Sequence, residues 1–333
     1  MGAPTVYRYD DPGVPVLTGD NDAAYEVLRA CLVDGYGSKP AAGWSEVYDS
    51  WAASGVATFT NAAGTGVLGL VRSAATDRPP FVFVADAMVD DQTAVNARSG
   101  RGGISDVMSL SESSSSAQRS NFALRYQCWV VIANENFAIA WFSNSASNLL
   151  GSPSGNDSMS MICFGSIDST RGLSVGNFIC VGGCYTSAVI TNRYLASLYT
   201  SGTSVAHSTA FYSADGVPES GSVYVFVGPY VAGDSDFPYA DADGIVSVML
   251  TNVTLYSSNS RYYRDGREIG VVRPLLVNNM CCRSSSDASI DVFKRLGAGF
   301  LTDVISVDGR QCMIAPLTSG LVVLVCLDAD LWP

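Results

Sequence analysis

The chain has 333 residues, of which 47% are apolar, 10% aromatic and only 15% charged. Globular chains ordinarily carry about 25% charged residues, so the composition argues against disorder and fits a chain that covers its surface with Ser, Thr, Asn, Gly and partner subunits. Nineteen basic residues against 31 acidic ones give a net charge of −12, and without a basic patch to displace phosphate counterions, direct nucleic-acid binding is not expected.

In chain order, Thr5–Leu17 reads as an extended arm stiffened by Pro12 and Pro15, ending in a Thr18–Gly19 turn. A helix is predicted over Asp22–Asp34, because Ala24, Leu28, Cys31 and Leu32 recur at helical spacing. Asp20 and Asp22 lie at its positive end, and Gly35 supplies the stop. Strands are predicted at Val56–Thr60, Val67–Arg72, Phe81–Ala85, Phe122–Ala133, Phe137–Phe142, Ser160–Gly165, Val223–Val227 and Ile245–Tyr256, all rich in β-branched and aromatic residues. Two polar stretches, Arg98–Asn121 and Asn144–Ser158, read as loops. Asp265–Gly266 and Asp308–Gly309 mark tight hairpins, joining Arg261–Arg264 to Arg267–Val272 and Leu301–Val307 to Arg310–Ala315. Leu321–Leu327 reads as a buried strand, far short of the ~20 residues that span a bilayer. No heptads or fixed-period repeat occur.

The expected fold is therefore mainly β with one N-terminal helix (α+β), its antiparallel sheets forming a sandwich-like body. Residues 1–75 are expected to form a helix-containing docking region and 76–333 a β-rich body, with a further division near 192–222. No stretch has the form of a secretory signal, so folding in a cytoplasm is expected, with no membrane span.

Nine cysteines are scattered through apolar segments, which favours buried free thiols over a disulfide framework. Some could pair after release into oxidising surroundings, Cys281–Cys282 above all. Cys180 and Cys184 form the only zinc half-site candidate besides that pair, and they lack CxxC spacing; packing on neighbouring strands is the better reading. The single histidine, His207, has no Gly-x-Ser-x-Gly elbow to make it a catalytic base. Gly64–Gly69 matches a dinucleotide fingerprint, but strand-like segments flank it on both sides, so a glycine-bearing hairpin turn explains it better.

Asp234, Asp236, Asp241 and Asp243, on a loop with Gly244, are the candidate metal ligands. Calcium takes six to eight oxygens, and clustered aspartates can supply them. No Glu closes an EF-hand loop, and a solvated acidic turn is the better reading, so no cofactor is expected unless it is calcium. A glycosidase needs two carboxylates across a groove. Of the glutamates, Glu26 falls on the helix, while Glu46, Glu112, Glu135, Glu219 and Glu268 read as turn or edge residues. Tyr194, Tyr199, Phe211–Tyr212 and Tyr262–Tyr263 could stack on sugars, although ordinary sheet packing is the better reading. Asn252–Thr254 matches a glycosylation acceptor, without meaning in the absence of a signal.

The segment from Tyr7 to Gly19 (YRYDDPGVPVLTG), followed by Cys31 to Trp44 (CLVDGYGSKPAAGW), resembles the opening of a widespread group of bacteriophage particle proteins. The match covers about residues 5–45 and is loose beyond. It carries over no active site. It implies a virion structural protein, assembled in the host cytoplasm, with other virion proteins and further copies of itself as partners. Tail, baseplate or neck placement is the expectation, with a capsid decoration protein or a host-surface carbohydrate-binding module as alternatives. The expected role is non-enzymatic, with the Pro-stiffened arm and helix docking on the particle.

Overall fold

The computed structural model describes residues 2–15, 22–72, 80–95, 108–109, 128–143, 158–167, 178–186, 209–212, 218–221, 223–226, 250–257, 268–278, 301–307, 309–315 and 323–333. Strand β1 (Thr5–Arg8) is followed by helix α1 (Ala23–Arg29), a π-helical turn (Ala30–Asp34), β2 (Ser45–Ser50) and the one-turn helix α2 (Trp51–Ser54). Next come β3 (Val56–Thr60), β4 (Val67–Val71), β5 (Phe81–Ala85), β6 (Ala87–Met88), β7 (Ala94–Val95) and β8 (Met108–Ser109). A run of longer strands comes after them: β9 (Cys128–Ala133), β10 (Phe137–Ser143), β11 (Ser158–Ser166) and β12 (Phe178–Thr186). The remainder holds β13 (Thr209–Tyr212), β14 (Pro218–Gly221), β15 (Val223–Phe226), β16 (Leu250–Ser257), β17 (Glu268–Asn278), β18 (Val304–Val307), β19 (Arg310–Ala315), β20 (Val323–Cys326) and a closing 3-10 turn (Ala329–Leu331).

These strands build a seven-stranded sheet in the order β1-β9-β10-β11-β12-β13-β14, a six-stranded sheet β15-β16-β17-β20-β19-β18, a five-stranded sheet β2-β3-β4-β5-β8 and the small β6-β7 ribbon. Every described pairing is antiparallel. The protein is thus mainly β with one principal helix near its N-terminus, as the strand-like composition and the single helical pattern led us to expect. Among the described residues, no helix is long and apolar enough to cross a membrane.

The helix forms because its apolar residues fall on one stripe. Ala24, Val27, Leu28, Cys31 and Leu32 are all fully buried, at the i, i+3, i+4, i+7, i+8 positions of a core-facing helix. It ends by widening: the Gly35 N–H donates to Ala30 O at 2.8 Å, and Gly35 takes φ 73°, a region open to glycine at no steric cost. Asp22 does not cap the helix. Its Oδ1 instead accepts from Trp51 Nε1 at 2.9 Å and Arg72 Nε at 3.1 Å, tying the helix start to α2 and the end of β4.

One core joins the helix to the inner faces of two sheets. Phe59, Leu68, Leu70 and Val84 from the five-stranded sheet meet Trp129, Val131, Phe142 and Phe164 from the seven-stranded one, with α1 among them. This is the sandwich-like layering in which sheets and a helix share a buried face. The boundary expected at residue 75 falls between β4 and β5, which pair from Val67↔Ala85 to Val71↔Phe81. In addition, β1 pairs with β9 over Thr5↔Ala133 to Arg8↔Val130. Residues 1–75 therefore share their sheets and core with strands from the later part of the chain. The division expected near 192–222 falls largely outside the described residues.

The Gly64–Gly69 motif lies on the β3–β4 hairpin, which closes at Thr60↔Val67, and strand β4 occupies the place where the fingerprint needs a helix. Gly66 faces Phe178 of the other sheet, and a Cβ there would lie 2.7 Å from that side chain. At Gly69 an added methyl would fall on the ring of Phe83, which is 1% exposed and cannot swing into solvent. Gly69→Ala is therefore expected to destabilise the fold by about 1–3 kcal/mol, the usual cost of overpacking a filled core. Urea denaturation of the purified variant measures it; an unchanged midpoint would show that the ring has room to move.

Candidate functional site

The four candidate calcium ligands, Asp234, Asp236, Asp241 and Asp243, lie outside the described residues, as do His207, Glu112, Cys281–Cys282, Tyr194, Tyr199 and Tyr262–Tyr263. Among the described residues, no group of three or more His, Cys, Asp or Glu side chains could hold a metal ion. Cys180 and Cys184 both belong to β12. Four positions along one extended strand put their Cα atoms about 13 Å apart, so the two share a strand and do not lie on neighbouring ones. Six cysteines, Cys31, Cys128, Cys163, Cys180, Cys312 and Cys326, are buried free thiols.

Glu26 lies on α1, Glu46 on β2, Glu219 on β14 and Glu268 at the start of β17. Glu135 occupies the β9–β10 turn, where its Oε1 accepts from the Gly2 N–H at 2.8 Å. Phe211–Tyr212 lies in β13, opposite Glu219 and Pro218.

The described carboxylates gather most densely where α1 meets the β2 edge. Arg29 reaches from the helix to Asp34 (3.1 Å), Glu46 (3.6 Å) and Asp49 (2.9 Å), and its Nη1 donates to the Tyr25 hydroxyl at 2.8 Å. That hydroxyl lies 3.1 Å from Asp49 Oδ1 and 3.3 Å from Glu46 Oε1, so its one proton serves either acid. Tyr25 itself stacks on Trp51 with ring centroids 4.7 Å apart. Sequence reasoning missed this cluster, because its members come from segments that only the fold brings together. The guanidinium sits among the acids, so Glu46 and Asp49 are held as ion-pair partners on one strand and do not face each other across a groove.

Burial raises the Glu46 pKa above the usual glutamate value; Arg29 opposes the shift, and Asp49 adds to it. A carboxyl whose folded pKa is raised stabilises the fold in its protonated form, and that contribution is lost as pH rises from the ordinary value through the raised one. Glu46→Gln is expected to remove this part of the pH dependence, taking away the loss of melting temperature that Glu46 contributes as pH rises from the ordinary glutamate value through its raised one. Thermal melts of the two proteins across that interval test it. Parallel curves would show that Glu46 titrates normally.

Beside the cluster, β2 is an edge strand with a register shift between Glu46 and Tyr48. The intervening Val47 is 39% exposed, and Tyr48 donates its hydroxyl at 3.0 Å to the carbonyl of Val89, itself 62% exposed. At the edge of the six-stranded sheet, β18 alternates exposed and half-buried residues, with Val304 53% exposed. Strand edges carry unpaired N–H and C=O groups that template pairing with another chain, and bulges and charges limit that pairing. Acidic groups flank the β2 edge, with Arg29 set among them.

A second polar cluster closes the opposite end of the hairpins. Asn61 Nδ2 shares its two protons among Thr65 Oγ1 (2.9 Å), Asn136 O (3.2 Å) and Ser166 Oγ (2.8 Å). Asn134, 2% exposed, accepts from the N–H groups of Asn136 (2.9 Å) and Phe137 (2.8 Å). Its Nδ2 donates to Pro333 O at 3.0 Å. Each of these side chains has a partner within the fold, so the cluster ties four stretches together: the β3–β4 turn, the β9–β10 turn, the end of β11 and Pro333.

The described residues between Tyr7 and Trp44 bond to one another and to the neighbouring sheet. Tyr7 donates to Pro40 O (2.8 Å), Tyr36 to Asp11 Oδ2 (2.9 Å), Lys39 to Val6 O (2.8 Å) and Trp44 Nε1 to Asn134 O (2.9 Å). Comparison with known families and with characterised proteins finds no family pattern and no individual protein that this chain matches.

Proposed function

We propose that this chain is a structural component of a bacteriophage particle, a non-enzymatic subunit of the tail, baseplate or neck that works by association. The observation that carries the reading is the Tyr7–Trp44 segment, where the resemblance to phage particle proteins lies. Low charge and the acid-flanked β2 edge support it, because a surface poor in charge and provided with strand edges suits contact with other subunits. The partners are other virion proteins and further copies of the chain, in the virion and not on nucleic acid. The reading requires no resident cofactor; a chelator that lowers the melting temperature would instead favour calcium at the Asp234–Asp243 loop.

The internal bonding of the opening segment refines the idea of a docking arm. Its residues frame the core, so attachment to the particle falls to surfaces such as the β2 and β18 edges. Mass spectrometry of purified particles with copy-number measurement tests the proposal. Roughly six to twelve copies, set by ring symmetry, would support the tail or neck. Hundreds would favour capsid decoration. Absence from the particle, or release of reducing sugar from host polysaccharide by the pure protein, would overturn it, and saturable attachment to host cells would point to the host-binding alternative.

A further inference from the structure

We propose that Cys312 and Cys326 form a redox-responsive cross-strand pair, reduced as the chain folds and joined by a disulfide when a low-molecular-weight disulfide reaches it. The two residues are direct partners in the β19–β20 ladder, and Ile314↔Leu324 lie next along the same face. All four side chains form one small buried cluster with Ile305, Val307 and Leu331 against it.

The ladder geometry selects this pair. The Leu327 N–H donates to Gln311 O at 2.7 Å, so the hydrogen bond flanks the Cys312–Cys326 position and these two residues exchange none themselves. Such non-hydrogen-bonded pairs have the closest side chains in a sheet, with Cα atoms about 4.5 Å apart, inside the ~4.4–6.8 Å range that a disulfide spans. The other neighbouring thiols fail the same test. Cys180 is opposite Phe164, whereas Cys163 is opposite Val181; adjacent strand positions point to opposite faces, so the sheet itself separates Cys163 from Cys180.

The surroundings favour attack by Cys326. The Cys312 thiol and the backbone N–H of Asp328 both bond to its sulfur and hold its pKa below the ordinary thiol value, while burial opposes them. Both residues have no exposed surface, but Arg310, on the same hairpin, is 41% exposed and reaches Asp328 and Asp330 at the surface. The site therefore lies one layer below solvent, at the end of β20, and a small oxidant reaches it when the β19–β20 pairing opens locally.

With oxidised glutathione the exchange takes two balanced steps. The Cys326 thiolate attacks one glutathione sulfur, breaking that S–S bond and releasing one glutathione thiolate. Cys312 then loses its proton to solvent and attacks the Cys326 sulfur of the mixed disulfide, displacing the second glutathione. Two protein thiols are oxidised and one glutathione disulfide is reduced to two thiols.

The sequence supplies a direct readout. Trypsin cuts after Arg310, and the next peptide, Gln311–Pro333, contains no Lys or Arg and only these two cysteines. Native full-length protein is incubated with oxidised glutathione, alkylated, digested without reduction and weighed. The expected result is a Gln311–Pro333 peptide lighter by two hydrogens and unalkylated, restored by dithiothreitol, with the melting temperature of the oxidised protein raised by roughly 5 °C. Cys312→Ser and Cys326→Ser should each abolish the mass change; the wild-type peptide map decides the matter even if a variant folds poorly. Persistent alkylation of both cysteines, a stable glutathione adduct, or linkage of either to any other cysteine would overturn the proposal.

Discussion

Replacing Trp44 by alanine is expected to destabilise the protein by about 3–5 kcal/mol, the range for truncating a buried aromatic. The indole is 4% exposed and stands edge-on to Phe164 and Phe178, with centroids 5.3 and 6.1 Å away. It enters that position because the chain doubles back after the helix: the Ala42 N–H donates to Cys31 O and the Trp44 N–H to Leu32 O. The ring then passes beyond the helix to the seven-stranded sheet, where Nε1 meets Asn134 O at 2.9 Å. Truncation removes the packing and leaves that carbonyl short of a donor. Trp44→Phe separates the two contributions, since it keeps most of the packing and loses the hydrogen bond, for about 1–2 kcal/mol. Urea denaturation of both variants gives the comparison. Equal losses would show that the hydrogen bond, and not the ring, holds the segment.

The local elements were legible because each depends on nearby residues alone. Val56–Thr60 and Phe81–Ala85 match their predicted bounds at both ends, since short β-branched or aromatic runs are flanked by turn residues. The Asp308–Gly309 hairpin also closes as its sequence requires, with Val307 opposite Arg310 and Gly309 at φ 79°. The hairpin expected at Asp265–Gly266 falls outside the described residues, but β17 beyond it pairs with β16, Tyr256 opposite Glu268.

Pairing between distant strands left no such trace. In β1, four residues meet β9 more than a hundred positions later, and only Tyr7 is buried there. A strand that short fits many edges by alternation alone, so its partner is chosen by the surrounding core. The same applies to β20, inserted between β17 and β19. Its apolar run marked it as a buried strand, but its register, and with it the meeting of Cys312 and Cys326, depends on sheet order. The Arg29 cluster escaped for a related reason: Asp34, Glu46 and Asp49 gain meaning only when the helix lies against the β2 edge. The Asn-Glu-Asn sequence at 134–136 did carry a readable signal, because asparagine between two apolar runs favours a side-chain-bonded turn.

Trp332→Ala should be comparably severe, at about 3–5 kcal/mol, because this residue joins the last described turn to the seven-stranded sheet. Its side chain is 1% exposed, its Nε1 donates to Cys326 O at 2.8 Å, and its ring meets Phe137 at 6.0 Å in an edge-on contact. Next to it, Pro333 O accepts from the carboxamides of Asn134 (3.0 Å) and Asn136 (3.2 Å). The neighbouring tie, from Arg8 Nη1 to Thr302 O at 2.7 Å, holds the start of β18 to β1. Loss of Trp332 therefore loosens β20 on one side and uncovers Phe137 on the other. Two measurements distinguish a core role from a peripheral one. The urea midpoint should fall, and native-state hydrogen exchange should accelerate both in β20 and at the β9–β10 turn. Faster exchange in β20 alone, with an unchanged midpoint, would mean that the final turn merely rests on the sheet.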